Sequence, residues 1–174
     1  MLRRLIVTGA NGTGKSHVAS RLGDARPDVP VISFDAIKLT GNWEQKPRPD
    51  IDDELARTVA ADSWILEGGP SLLDLALPKA DAVIWLDPPE RIRLWRLAIR
   101  PWRNLGRTRP ELPAGNVDWP VQQYRFAFQS LGKRARFRDT ISERLEKLEA
   151  KRIWHCRTSM EIDAAIDEWR DGGE

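Results

Sequence analysis

The sequence predicts an α/β protein built on a parallel sheet that helices cover on both faces. Three observations predict it. Short apolar runs rich in β-branched residues recur along the chain, stretches of helical periodicity separate them, and the first run ends in a glycine-rich turn. Strands that alternate with helices lie parallel, because each crossover carries the chain back over one face of the sheet. At 174 residues the chain can bury a sizeable core as one domain. No repeat, low-complexity tract or linker interrupts it, so residues 1–174 are read as a single unit.

Leu5-Ile6-Val7 stops at Gly9 and reads as a buried strand. Ser16 to Leu22 follows as a helix with Val18, Ala19 and Leu22 inward. Pro30 to Phe34 is a second strand closed by Asp35, and Ile51 to Ala61 is a helix opened by acids. Ser63 to Glu67 is a third strand, broken by Gly68-Gly69-Pro70, and Ala82 to Asp87 a fourth, stopped by Pro88-Pro89. A helix from Glu90 to about Arg100 precedes a segment rich in Pro and Gly, read as a flap or lid over residues 100–119. Val121 to Ala150 is helical with a break near Gly132, Arg152 to Cys156 is a fifth strand, and Ser159 caps a last helix through Trp169. Of the eight tryptophans, Trp64, Trp85 and Trp154 fall inside strands and belong to the core, whereas Trp43 and Trp119 lie in loops where they could line a pocket.

Composition narrows the function. Hydrophobic residues make up 41% and charged residues 31%, as in an ordinary globular protein, and no apolar run is long enough to span a membrane. One cysteine, Cys156, allows no internal disulfide and suits a reducing cytoplasm. The two histidines, His17 and His155, form no zinc pattern with it. The net charge is only +2, but from Pro88 to Arg152 there are 16 Lys/Arg against 7 Asp/Glu, and elsewhere 12 against 19. That asymmetry predicts a face that meets an anion.

Gly9-Ala10-Asn11-Gly12-Thr13-Gly14-Lys15-Ser16 matches the P-loop pattern G-x-x-x-x-G-K-[ST] at every fixed position, with a strand before it and a helix after it. Its glycines let the backbone N–H groups of Asn11, Gly12, Thr13 and their neighbours surround phosphate oxygens, while the helix start adds positive potential. Lys15 reaches the β- and γ-phosphates, and the Ser16 hydroxyl binds Mg²⁺. ATP with Mg²⁺ is therefore the expected ligand. Asp35, Glu67 and Asp87 end strands two, three and four, where parallel sheets gather ligands. An acid there supports a metal ion or takes a proton from an acceptor. Arg96, Arg100 and Arg103 have helical spacing, and Arg107 and Arg109 sit in the flap, where guanidinium groups can neutralise a transferring phosphoryl group.

With those residues placed, the chain resembles the P-loop kinases related to adenylate kinase, and more closely the bacterial DNA topology modulation proteins. The resemblance covers most of the chain. It rests on the P-loop, Phe34-Asp35 followed by Trp43, Trp64 to Gly68, Val83 to Asp87, Gly106-Arg107-Thr108-Arg109-Pro110 and Asp118-Trp119. It implies a three-layer αβα P-loop NTPase fold with five parallel strands in the order 2-3-1-4-5 and a lid between strands four and five. Glu67 then occupies the place of the Asp-Gly pair that nucleotide kinases carry near Mg²⁺, and Asp35 the place from which related kinases hold or deprotonate the acceptor. Pro70 is followed by Ser71, not by the arginine of adenylate kinases, which speaks against an AMP kinase.

The expected function is transfer of the γ-phosphoryl of ATP to a small acceptor, a nucleotide or metabolite. Lys15, Asp35, Arg107 and Arg109 are the catalytic candidates, Arg103 joins the P-loop in binding the nucleotide, and Ser16 and Glu67 hold the metal. The alternative is a nucleotide-dependent ATPase that modulates DNA or a protein partner through the basic segment, with a salt-dependent DNA affinity.

Overall fold

The computed structural model describes residues 2–103, 112–116, 124, 134–146 and 151–172. Five strands, β1 (Arg4–Gly9), β2 (Val31–Ser33), β3 (Trp64–Gly68), β4 (Ala82–Leu86) and β5 (Arg152–Cys156), form one sheet. All paired neighbours run parallel, in the order β2-β3-β1-β4-β5. The helices among the described residues are α1 (Lys15–Ala25), α2 (Phe34–Lys38), α3 (Arg48–Val59), α4 (Leu73–Ala76), α5 (Glu90–Arg103), α6 (Arg134–Glu146) and α7 (Ser159–Arg170).

Side chains alternate across the sheet, and this sorts the core into two layers. Ile6, Trp64, Leu66, Val83 and Trp85 face α3, α4 and α6, where Leu55, Leu73 and Ile141 meet them. Leu5, Val7, Ile65 and Ile84 face α1 and α7, against Val18, Leu22, Ile166 and Trp169. Strands β3 and β4 are buried throughout, which is why both read as unbroken apolar runs rather than alternating ones. Each aliphatic side chain buried this way contributes about 1.5–3 kcal/mol relative to exposure. Among the described residues no helix is long and apolar enough to cross a membrane.

Several element boundaries differ from the sequence reading. Strand β2 is only three residues long and stops at Ser33; Phe34 turns directly into α2, so Asp35 lies in a helical first turn rather than at a strand end. An acid in that turn and Lys38 in the last both suit the helix dipole, which favours winding over extension. Helix α3 begins at Arg48, ahead of Ile51, because Pro49 is compatible with a first helical turn. The cap of α7 is Thr158, one residue before Ser159, since only that register brings Glu161 to the third helical position. Trp154 is partly buried rather than core; its Nε1 donates to Glu168 Oε2 at 2.6 Å. Trp119 and, of the helix expected from Val121 to Ala150 with its break near Gly132, residues 121–133 except 124 and residues 147–150 lie outside the described residues.

Candidate active site

The chain leaves β1 at Gly9, curls through the P-loop and enters α1. A Cβ at Gly9 would stand 2.5 Å from Leu86 O, so that residue must be small for β1 to lie against the end of β4. Gly12 and Gly14 adopt left-handed φ values of 83° and 98°, which side-chain-bearing residues rarely take. Helix α5 also crowds them: a Cβ at Gly12 would meet Leu97 Cγ at 2.7 Å, and one at Gly14 would meet Arg96 Nη1 at 2.9 Å.

The loop carbonyls are turned onto donors. Ala10 O accepts from Thr13 Oγ1 at 2.8 Å and from Lys15 Nζ at 3.1 Å. Asn11 O accepts from Arg93 Nη1 at 3.2 Å, and Thr13 O from Arg96 Nη1 at 2.6 Å. Helix α1 begins without a side-chain cap or an acid in its first turn, and its first ladder bond runs from Val18 N–H to Gly14 O at 3.0 Å. Thr13 N–H also donates to Ala10 O, at 3.3 Å. The other N–H groups ahead of the Val18 bond, together with Lys15, are the donors that an anion at the mouth of the loop would meet.

Beside this mouth stands Glu67. The parallel register places it opposite both Val7 and Ser33, on the sheet face that carries α1. Glu67 Oε1 accepts from Ser33 Oγ at 2.8 Å and from Ser16 Oγ at 3.4 Å, and the residue is only 5% exposed. Ser16, Ser33, Ala36 and Glu67 line one end of a groove of about 770 Å³ that continues between α1 and β2 past Ser20 and Asp24. Among the described residues no group of three or more His, Cys, Asp or Glu converges on one point. One carboxylate beside one P-loop hydroxyl is a sparse donor set; it fits Mg²⁺ that arrives coordinated by phosphate oxygens and water, not an ion caged by protein alone.

The other two acids are not part of this cluster. Asp35 Oδ1 pairs with Lys38 Nζ at 2.8 Å, and its side chain is 49% exposed. Asp87 follows the end of β4 at Leu86, and its N–H donates to Cys156 O at 2.9 Å. Its carboxylate meets Arg138 Nε at 3.1 Å and His155 Nε2 at 3.4 Å, while the His155 ring stacks on Trp85 with centroids 4.0 Å apart. Asp87 therefore ties β4 to β5 and α6. Cys156 is buried at the end of β5, where desolvation and the nearby Glu161 push its thiol up to about 11, leaving it a poor nucleophile at neutral pH.

Helix α5 continues through Pro101 to Arg103, as the shared face of Arg96, Arg100 and Arg103 requires. The side chains of Arg100 and Arg103, and all of Arg107 and Arg109, lie outside the described residues. Many described cations of the basic segment have internal partners. Arg93 and Arg96 hold loop carbonyls, Arg138 holds Asp87, Arg144 pairs with Asp74 and Arg152 with Glu168. Among the described residues, much of the segment's positive charge is thus met by the protein itself.

Sequence reasoning missed Ser33, Arg93 and Asn116. Ser33 falls within the second strand with no role assigned to it, and only the register reveals that it faces Glu67. Arg93 entered only the charge count of the basic segment, yet it is 1% exposed. Asn116, wholly buried, accepts from Trp43 N–H at 2.6 Å and donates to Thr40 O at 2.7 Å and Pro113 O at 2.9 Å. It grips a loop in which Asn42 and Trp43 both have left-handed φ, 58° and 62°. Strain of this kind persists only where surrounding contacts over-determine it, and no sequence pattern announced it.

Strand order, glycine-rich loop and following helix together define a P-loop kinase fold. Solved structures agree. A shikimate kinase from Bacteroides thetaiotaomicron matches with 18% identity and a TM-score of 0.54 over 98% of both chains. A sugar kinase from a Janibacter species matches with 18% identity and a TM-score of 0.55 over 98% of this chain and 95% of that one. The Thermus thermophilus protein TT1252 matches with 15% identity and a TM-score of 0.57 over the full length of both. No protein-family model and no curated protein matches the chain.

Proposed function

We propose that the protein is an ATP-dependent phosphotransferase that moves the γ-phosphoryl group of ATP to a hydroxyl of a small molecule. The observation that carries this reading is the convergence of Lys15, Ser16, Ser33 and Glu67 at the mouth of a loop whose carbonyls are turned onto internal donors. The names of the shikimate and sugar kinases that share the fold support a small acceptor by analogy. Membership of the DNA topology modulation family, in a reducing cytoplasm, belongs to the same proposal.

The N–H groups of Asn11, Gly12, Gly14, Lys15 and Ser16 and the Lys15 ammonium bind the phosphate chain, with Lys15 leaving Ala10 O to do so while Thr13 N–H stays on it. Ser16 and Glu67 would hold Mg²⁺, which would supply charge neutralisation to the phosphates. Ser33 keeps the Glu67 carboxylate aimed at Ser16. Asp35 releases Lys38 and takes the proton of the acceptor hydroxyl. The acceptor oxygen then bonds to the γ-phosphorus while the bond from that phosphorus to the β,γ-bridging oxygen breaks, and the electron pair leaves with ADP. Arg103, Arg107 and Arg109 stabilise the charge that spreads over the transferring group.

The test is a screen of metabolites and nucleotides for stimulated ADP release, followed by Asp35→Ala with the acceptor it finds. The variant is expected to bind the ATP analogue ATPγS as the wild type does and to lose transfer by a factor on the order of 100 or more, within the range for a general base. Transfer that survives removes Asp35 from the reaction. Hydrolysis of ATP that no acceptor accelerates favours the regulatory ATPase instead.

A further inference from the structure

Arg93 is a charged side chain in the interior, on the face of α5 that presses on the P-loop. It is 1% exposed, its Nη2 pairs with Glu90 Oε1 at 2.7 Å, its Nη1 donates to Asn11 O at 3.2 Å, and its Nε is buried without a hydrogen-bond partner. Burying a guanidinium with one donor unsatisfied is costly, and an apolar residue of similar length would avoid that cost. Packing alone does not require the charge, because the groups that crowd Gly12 are aliphatic: the Leu97 side chain and the Arg93 Cγ.

We propose that Arg93 is a positioning residue that sets the P-loop in its phosphate-binding conformation before any ligand arrives. The argument follows the peptide unit. Its C=O and N–H point in opposite directions when the bond is trans, and the chain has no cis peptide among the described residues. A donor that fixes Asn11 C=O against α5 therefore aims the N–H of Gly12 the other way, into the loop. Because the donor is cationic, it also polarises that amide and strengthens it as a donor to an anion. Arg96 acts alike on Thr13 C=O and the N–H of Gly14, and Thr13 Oγ1 and Lys15 act on Ala10 C=O. Of these donors Arg93 is the most deeply buried, and Glu90, three residues earlier on the same helix, holds it in place. The site so formed recognises a polyphosphate chain as such, ahead of any contact with a nucleoside.

This inference rests on the loop being a phosphate site, and its test separates the two. Inorganic tripolyphosphate and ATPγS are titrated calorimetrically into the wild type, Arg93→Met, Arg93→Lys and Leu97→Ala. Wild-type binding of both probes reports on the site itself. Arg93→Met is expected to weaken both probes by the same factor, about tenfold, as for loss of one charge-assisted contact. It is also expected to shift the Gly12 amide resonance of the ligand-free protein. Arg93→Lys, which keeps the charge, is expected to stay within about threefold of the wild type. Leu97→Ala removes packing against Gly12 but no charge; it is expected to lower the melting temperature and to leave affinity within about threefold. Arg93→Met binding as tightly as the wild type would overturn the proposal. So would equal losses in Arg93→Met and Leu97→Ala, since packing would then explain both, and Leu97→Ala keeps this comparison decisive if Arg93→Met folds poorly.

Discussion

Helices α1 and α7 lie on the same face of the sheet, each starting where a parallel strand ends, and they solve the same problem in opposite ways. They share a core of Val18, Ala19 and Leu22 with Ala165, Ile166 and Trp169, and Arg21 pairs with Asp163 across them at 2.8 Å. The N-terminus of α7 closes on itself: Thr158 accepts from Glu161 N–H, and Glu161 Oε2 accepts from the N–H groups of Arg157 and Thr158 at 2.6 and 2.8 Å. The N-terminus of α1 has a left-handed glycine, no side-chain cap, and a lysine as its first residue. A cation at that end opposes the helix dipole. The self-capped end of α7 is what a helix needs for stability alone, whereas the end of α1, without a side-chain cap and with added positive charge, is what the proposed anion site would need.

The most forceful way to break this contrast is Lys15→Ala. Under the phosphate reading, affinity for ATPγS falls on the order of 100-fold, as expected for a strong charge-assisted contact. Stability should change little, because removing a cation from the wrong end of a helix offsets the lost contact of Lys15 with Ala10 O. Calorimetric titration beside a thermal scan reads both quantities. Unchanged affinity would remove the site assignment. A large drop in melting temperature would mean that Lys15 serves the fold, as the capping residues of α7 do.

Glu67→Gln probes the same end more gently, since the amide keeps the size and one oxygen able to accept from Ser33 and Ser16. The Mg²⁺ concentration that half-saturates ADP release is expected to rise about tenfold, the scale of a metal-ligand loss that leaves other contacts standing. A Mg²⁺ dependence that does not move assigns the buried carboxylate to structure alone.

The sequence showed the loop end far better than the rest of the site, for a physical reason. A phosphate nest is made by consecutive residues, so Gly9 to Ser16 can be read in one line, and the burial pattern of β3 and β4 likewise shows directly as apolar runs. The pairing of Glu67 with Ser33 depends on the register between two strands 34 positions apart in sequence. Asp35 was read as a strand end because the apolar run beside it gave no sign that β2 would stop so soon. Arg93 and Asn116 are polar residues made important by burial, and burial of an isolated polar residue leaves no periodic trace. Arg107 and Arg109, although legible as a cluster, fall outside the described residues.

The smallest expected effect sits at the other helix and tests whether its end is purely structural. Thr158→Ala removes the acceptor for Glu161 N–H and should cost about 1 kcal/mol of stability, typical of an N-cap threonine. Glu161 gives the same contrast a pH signature. The N–H groups of Arg157 and Thr158 hold its carboxyl below the ordinary glutamate value. A folded-state pKa depressed in this way contributes stability that is fully present above the unfolded value, near pH 4.3, and is lost as pH falls through the folded value. Glu161→Gln should therefore flatten the decline of melting temperature over that acidic range. Neither variant should change affinity for ATPγS, because the two helix ends share a core but no ligand. If either one weakens nucleotide binding as Lys15→Ala does, the α7 end also belongs to the site, and the division between a self-capped helix and a ligand-capped one fails.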